Sequence, residues 1–461
     1  MPIRTFIRGI PPQVSPSVKF PQPTIQIDPT FAYYSNRSED SIAAELELAG
    51  YRSIRYFVTN ETAVNGRLVS ALRERGMEVW AMVLGNGAYG TGHLPADWKD
   101  WQMTLLKKTD DGFYRFSLFS HRYTAWKKEA SAKLIKQHPF TGFEVAEPYF
   151  PEWNGLDTGV YGDVGPWARL AFKRFSGSEM PEFRYPSSPY YYKKDRARYL
   201  LWIDFRVQAV NGFLNDLING PGGIRETNPD IRIATWSLAV NAGNDPVQAL
   251  REYQGIDAGA MIRTVRPDVH MLQTHWPDWM RARLKPDYVK YYKPFVDRIR
   301  ASHPSIPLGI QTDIGSLRRM RRSRAWMERF AAAAANQGYR FWTAYEYTIG
   351  LPMYEDKPEP IRAYRPEQGV IVLEFNKRLD ARSAECSQHY RCVSRGSELL
   401  ISLTITQVDG HRVVLRSEQF PSESFELRIT GIRDTPELWL LKNEAGNETT
   451  RGCRVEIPDF L

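Results

Sequence analysis

The sequence predicts an α/β protein, a (β/α)8 barrel followed by a small all-β sandwich. Three observations carry this expectation. From residue 24 to about residue 350, short apolar runs alternate with amphipathic helical stretches, the rhythm of a parallel β/α architecture. Beyond a Pro-rich, charged stretch the apolar residues switch to a period of two, as in antiparallel strands. The 461 residues also exceed one barrel of roughly 250 to 350 residues by enough for a second module.

Residues 1–23 are Pro-rich, lack the apolar core of a signal peptide and are expected to be extended. The first strand is Thr24–Asp28 (TIQID). In the helix that follows, SEDSIAAELELAG, Ser38 suits the N-cap, Glu39 and Asp40 the first turn, and Gly50 the stop. Ser53–Asn60 is the second strand, followed by the helix GRLVSALRERG, closed by Gly76; Met77–Asn86 is the third. An insertion over residues 87–120 leads through the helix TAWKKEASAKLIKQH to the fourth strand, Gly142–Phe150 (GFEVAEPYF). Residues 151–195 are loop-rich, and loops of that length inside a compact domain tend to be functional. After a helix over 196–219 come strands at Ile231–Val240, Val269–Trp276, Pro307–Ser316 and Gly338–Thr348.

Eight strands in series fit a closed barrel over residues 24–352. An open doubly wound sheet is the alternative, and the lack of a G-x-G-x-x-G between a strand and a helix weighs against a dinucleotide-binding version. Residues 353–366 read as a linker and 367–461 as the sandwich, with Asp409-Gly410 marking a hairpin.

Composition narrows the function classes. The chain is 13% aromatic, which supplies sugar-stacking platforms as well as core. A net charge of +8 leaves an acidic polysaccharide open as a partner, whereas no zinc-finger, helix-turn-helix or RNA-recognition pattern supports nucleic acid. The charge is spread along the chain except at Arg318, Arg319, Arg321, Arg322 and Arg324, a solvated helix face or a contact for an anionic glycan. Three cysteines, Cys386, Cys392 and Cys453, argue against a disulfide framework and leave room for one bridge; their spacing makes no zinc site. No apolar run reaches about 18 residues, so no membrane partner is expected. The chain as given shows no export signal, which points to a soluble protein of the cytoplasm, or to a secreted one whose signal was removed. No metal or organic cofactor is implied, and the oligomeric state is not legible.

In such a barrel the chemistry lies where the strands end. The polar residues there are Asp28, Asn60, Asn86, Glu147, Trp236, His275 with Trp276, Asp313, and Tyr345 with Glu346. Asp28 also suits a structural cap. Glu147 stands at an otherwise apolar strand end before a proline, where an unpaired carboxylate is costly, so a chemical role is the better reading. Glycoside hydrolysis needs two carboxyl groups, one to protonate the leaving oxygen and one to attack or to activate water. Glu147 suits the acid, desolvated by rings such as Tyr149 and Trp153. For the second group, Asp313 lies across the barrel and Glu346 has the longer reach. Trp236, Trp276 and Trp342 are candidate stacking platforms, although Trp342 suits the core equally. His275 suits a sugar hydroxyl or a structural bond, and Arg55, Asn86 and Tyr345 are placed to orient substrate.

Ala146-Glu147-Pro148 resembles the Asn-Glu-Pro motif that ends strand four in clan A glycoside hydrolases, where the glutamate is the acid/base. The layout of AFKRF and ARYLLWIDFRVQAVNGFLNDL before NPDIRIATW is similar to that of family 42 β-galactosidases and related hydrolase-like proteins. The likeness spans most of residues 24–350. Two departures stand out. Ala146 replaces the Asn that binds the sugar 2-hydroxyl, and Asp313 (IQTDIGS) stands where the clan carries a glutamate nucleophile. A shorter acid widens the gap between carboxyls: about 5–5.5 Å implies retention and about 6.5–9.5 Å inversion. The departures also keep a rival in view, a non-catalytic glycan-binding protein on the same scaffold. LEFNKRLDARSA and ITGIRD resemble bacterial Ig-like domains appended to surface-layer proteins and glycosidases.

Overall fold

The computed structural model describes residues 22–241, 243–312, 318–345, 356–438 and 444–460. Eight parallel strands close into a barrel: β1 (Gln22–Ile27), β2 (Ser53–Val58), β3 (Glu78–Leu84), β4 (Gly142–Ala146), β5 (Arg232–Leu238), β6 (Val269–Gln273), β7 (Leu308–Thr312) and β8 (Phe341–Tyr345). β1 pairs with both β2 and β8, which completes the ring. Each strand lies within two residues of its expected range or inside it.

Strands with the barrel interior on one face and helices on the other must be apolar on both. Every residue of β4, β6 and β7 is accordingly buried, as is β3 from Val79 to Leu84. The surrounding helices begin at the expected signals. Ser38 accepts from the Ser41 amide at 3.1 Å to open α1 (Glu39–Leu48), and Asn65 caps α2 (Gly66–Glu74) in the same way. Gly50 and Gly76 follow these helices with φ of 87° and 74°, backbone that costs glycine little.

Inside the ring the side chains form layers. Arg55, Trp80, Glu144 and Met271 fill a deep one. The Arg55 guanidinium lies 4.1 Å from the centre of a Trp80 ring and meets the Glu144 carboxylate at 2.9 Å, off the line of a hydrogen bond. Glycines make room for the large members. A Cβ on Gly142 would come 2.2 Å from the Trp80 ring, and one on Gly309 would come 2.1 Å from the Met271 sulfur. Met82, Ala146 and Trp236 belong to the same apolar cluster and form the next layer up.

The stretch 151–195 contributes Tyr161, Phe172 and Phe183 to a satellite core completed by Tyr199 and Trp202 of the helix that follows. The buried Arg206 binds it, donating to the Tyr161 hydroxyl and to the carbonyls of Gly162, Glu252 and Tyr253.

The C-terminal residues form two four-stranded antiparallel sheets around one apolar cluster. One sheet contains β9 (Pro360–Tyr364), β10 (Val370–Phe375), β13 (Thr404–Asp409) and β14 (Arg412–Arg416). The other contains β11 (Tyr390–Ser394), β12 (Ser397–Leu399), β15 (Phe425–Ile429) and β16 (Arg454–Ile457). β9 is drawn from residues expected in the linker; its pairing with β10 makes it an edge strand. Asp409-Gly410 turns the expected hairpin, with Gly410 at φ 62°. This turn also meets the barrel, because Asp409 accepts from the Ser38 amide at 2.8 Å at the start of α1. All three cysteines are free, so the one bridge left open is not formed.

The arginine cluster is largely absorbed by structure. Arg321 pairs with Glu444 at 2.6 Å and Arg324 with Asp356, and the buried Arg322 donates to the carbonyls of Trp279 and Arg281.

Candidate active site at the mouth of the barrel

A cavity of about 860 Å³ opens where the strands end. β1 contributes Gln26, with Asp28 just beyond it. Phe57, Thr59 and Asn60 come from the end of β2, Met82 and Leu84 from β3, and Tyr89 and His93 from the insertion that follows. Ala146 and Glu147 come from β4, Trp236 from β5, Gln273 from β6 and Gln311 from β7.

Glu147 is set by a strained turn. Its φ is 54°, a left-handed conformation that costs a non-glycine residue about 1–2 kcal/mol. The neighbouring packing holds the turn. Gly85 donates its amide to the Ala146 carbonyl at 2.6 Å and accepts at its own carbonyl from the Tyr123 hydroxyl. A Cβ on Gly85 would come 2.5 Å from the Pro148 Cα, so a glycine is required where the turn packs on β3. The Glu147 side chain makes no hydrogen bond or ion pair with a described residue. Burial pushes its carboxyl up to about 7, against the opposing pull of Arg115. Part of the residue faces the cavity, so this carboxyl is desolvated by protein yet open to a ligand.

Asp28 is the other carboxyl among the described lining residues. Burial raises its pKa, while bonds from the Thr30 amide (3.0 Å) and hydroxyl (2.6 Å) lower it. Tyr89 is 60% exposed at the rim. Its phenol is raised by burial and by the charges of Glu147, Asp111 and Asp28, with Arg115 opposing, so both carboxyls act on one hydroxyl.

The floor is neutral and hydrogen-bonded. Trp236 Nε1 donates to Gln311 Oε1 at 3.0 Å, and Gln311 Nε2 donates to Gln26 Oε1 at 2.6 Å. On one side, His93 Nε2 lies 3.5 Å from Glu61, which in turn holds the buried Lys127. Glu61 titrates at about 2: burial raises it, but Lys127 and His93 together pull it lower.

Of the candidates from sequence, the structure brings Asp28, Asn60, Glu147 and Trp236 into this cavity. Arg55 lies one layer deeper against Glu144. Asn86 is buried and holds the insertion, donating to the Phe116 carbonyl at 3.3 Å. His275 and Trp276 sit past the end of β6 in a short helix, where His275 packs edge-on against Trp153. Burial draws His275 down to about 4, which keeps it neutral. Trp276 is exposed, and Trp342 is core, 5.7 Å from Phe330. Asp313, Glu346 and the Tyr345 side chain lie outside the described residues.

Sequence reasoning missed Gln26, Gln273 and Gln311. Each is a glutamine inside an apolar strand (TIQI, HMLQ, GIQT), and that shared oddity was the available signal. Tyr89 and His93 lie in an insertion whose path no local pattern fixes. Among the described residues, no group of three His, Cys, Asp or Glu could hold a metal ion, and no helix is long and apolar enough to cross a membrane.

No family model and no curated protein matches the sequence. Among solved structures, the chain is similar to a catalytic mutant of Gan42B, a GH42 β-galactosidase from G. stearothermophilus. Identity is 14%, coverage is 72% of this chain and 51% of that one, and the TM-score is 0.46. It is also similar to the glycoside hydrolase domain of PelA from Pseudomonas aeruginosa, at 13% identity, 71% and 95% coverage and a TM-score of 0.38. A third is the β-galactosidase from Rahnella sp. R3, at 14% identity, 64% and 45% coverage and a TM-score of 0.41. The chain thus spans about half the length of the two β-galactosidases. These neighbours are glycoside hydrolases; the chemistry here rests on this chain's own residues.

Proposed function

We propose that the protein hydrolyses a glycosidic bond in an oligo- or polysaccharide, with Glu147 as general acid/base. The observation that carries this reading is a carboxyl without a partner among the described residues, held by a strained turn at the cavity and raised to about 7 by burial. A group with that pKa is still substantially protonated at neutral pH and gives its proton up readily, as protonation of a leaving oxygen requires. The amides of Gln26 and Gln273, which line the cavity, suit the hydroxyls of a sugar.

The second carboxyl is Asp313 or Glu346, which follow β7 and β8 in the chain. Asp28 shares the cavity with Glu147 and is the third candidate, although its bonds from Thr30 suit an ionised, orienting role better. Turnover of a panel of chromogenic glycosides and oligosaccharides tests the reading. Glu147→Gln should lower kcat by roughly 10²–10⁴-fold while sugar binding persists.

The rival, a glycan-binding protein without turnover, is favoured by Ala146, which lines the cavity with a methyl group where the resembled motif has an amide. Binding of a sugar by the wild type, with no hydrolysis of it, would select that reading.

A further inference from the structure

We propose that the cavity takes a sugar ring bearing no carboxylate, sulfate or phosphate, an uncharged or amine-bearing ring, although the protein as a whole is cationic. This rests on the carbohydrate reading above and names its substrate class. A net charge of +8 alone would favour an acidic glycan. The cations near the cavity are already matched. Arg115 donates to Asp111 at 2.7 Å and 3.1 Å and to the Phe113 carbonyl. Lys127 pairs with Glu61, and Arg55 faces Glu144 in the layer below.

Among the described lining residues there is no Lys or Arg; the charged groups are Asp28 and Glu147, with His93 beside them. The described lining of the cavity and the chain as a whole therefore differ in sign.

The consequence is selective. An anionic ring entering this cavity gives up water and meets no guanidinium or ammonium among the described lining residues in exchange, while Asp28 and Glu147 face it. Neutral hydroxyls fare differently, because the amides of Gln26 and Gln273 both donate and accept. An amine on the ring gains from Asp28 and Glu147. Attraction of anions to the exterior is screened beyond about 8 Å at physiological salt, so it does not reach the floor.

Monosaccharides test this without knowledge of the linkage and are not themselves cleaved. Saturation-transfer NMR on the whole protein at about 0.15 M salt would compare glucose, galactose and mannose with their 2-amino and uronic-acid counterparts. Cavity binding is defined as the signal lost in Tyr89→Ala, a change at an exposed rim residue. At least one neutral or amino sugar should bind there, with its uronate weaker by about tenfold or more. Asp28→Asn should narrow that gap. A uronate bound as tightly as its neutral counterpart would overturn the proposal and leave the carbohydrate reading standing. Cavity binding by none of the nine sugars would overturn both.

Discussion

The deep layer of the barrel and its mouth each hold a glutamate from the same stretch of chain, and the two are treated in opposite ways. Glu144 is 1% exposed and faces Arg55 across 2.9 Å, with Trp80 packed on the arginine. Glu147, three residues on, has no such partner and opens onto the cavity. Burial raises the pKa of both; Arg55 opposes it for Glu144, and among the described residues the charge of Arg115 does so for Glu147. A buried charge is kept by pairing it or by letting it go neutral. The protein does the first in the deep layer and the second at the cavity, which is what the proposed acid/base role of Glu147 requires.

This contrast breaks most sharply under substitution. Glu147→Gln should reduce turnover by roughly 10²–10⁴-fold with the fold intact, read by kcat together with thermal melting. Glu144→Gln should act the other way. Arg55 loses its counter-charge in the barrel interior, and urea unfolding should show a loss of about 3–5 kcal/mol. An unchanged midpoint would mean that water reaches the deep layer.

A smaller effect concerns stability at Glu147 itself. Its folded-state value of about 7 lies above the ordinary 4.5, so ionisation is what costs. Glu147→Gln should therefore match wild type in stability below about pH 4.5 and gain on it as pH rises through about 7. The gain should approach, and through contact with cavity water fall short of, roughly 3 kcal/mol. Melting curves at pH 4 and pH 8 check the sign. The smallest effect lies at the joint between sandwich and barrel. Asp409→Ala removes the acceptor for the Ser38 amide at the start of α1 and should cost about 1 kcal/mol, with turnover unchanged.

The barrel was legible because burial on both faces forces apolar strands, and capped helices separate them. Glu147 was legible because an acid before a proline breaks such a strand. Depth was not legible. Arg55, Phe57 and Thr59 share the inward face of β2 and its extension by their period of two, yet only Phe57 and Thr59 reach the cavity. How far along a strand the cavity floor lies depends on the stagger of eight strands, which no single strand encodes. His275 and Trp276 follow β6 as the N-cap and first residue of a short helix and are not among the described residues that line the cavity. Pro360–Tyr364 reads as linker because its pattern is short and Pro-flanked, and its strand character comes from its partner β10.

Glu147 holds its proton near neutral pH because the surrounding protein desolvates it and no described residue pairs with it. Carbon-13 NMR titration of glutamate side chains in the wild type, with Glu147→Gln used to assign the resonance, tests it directly. The expected midpoint is near 7. A midpoint in the ordinary carboxylate range, near 4.5, would contradict it.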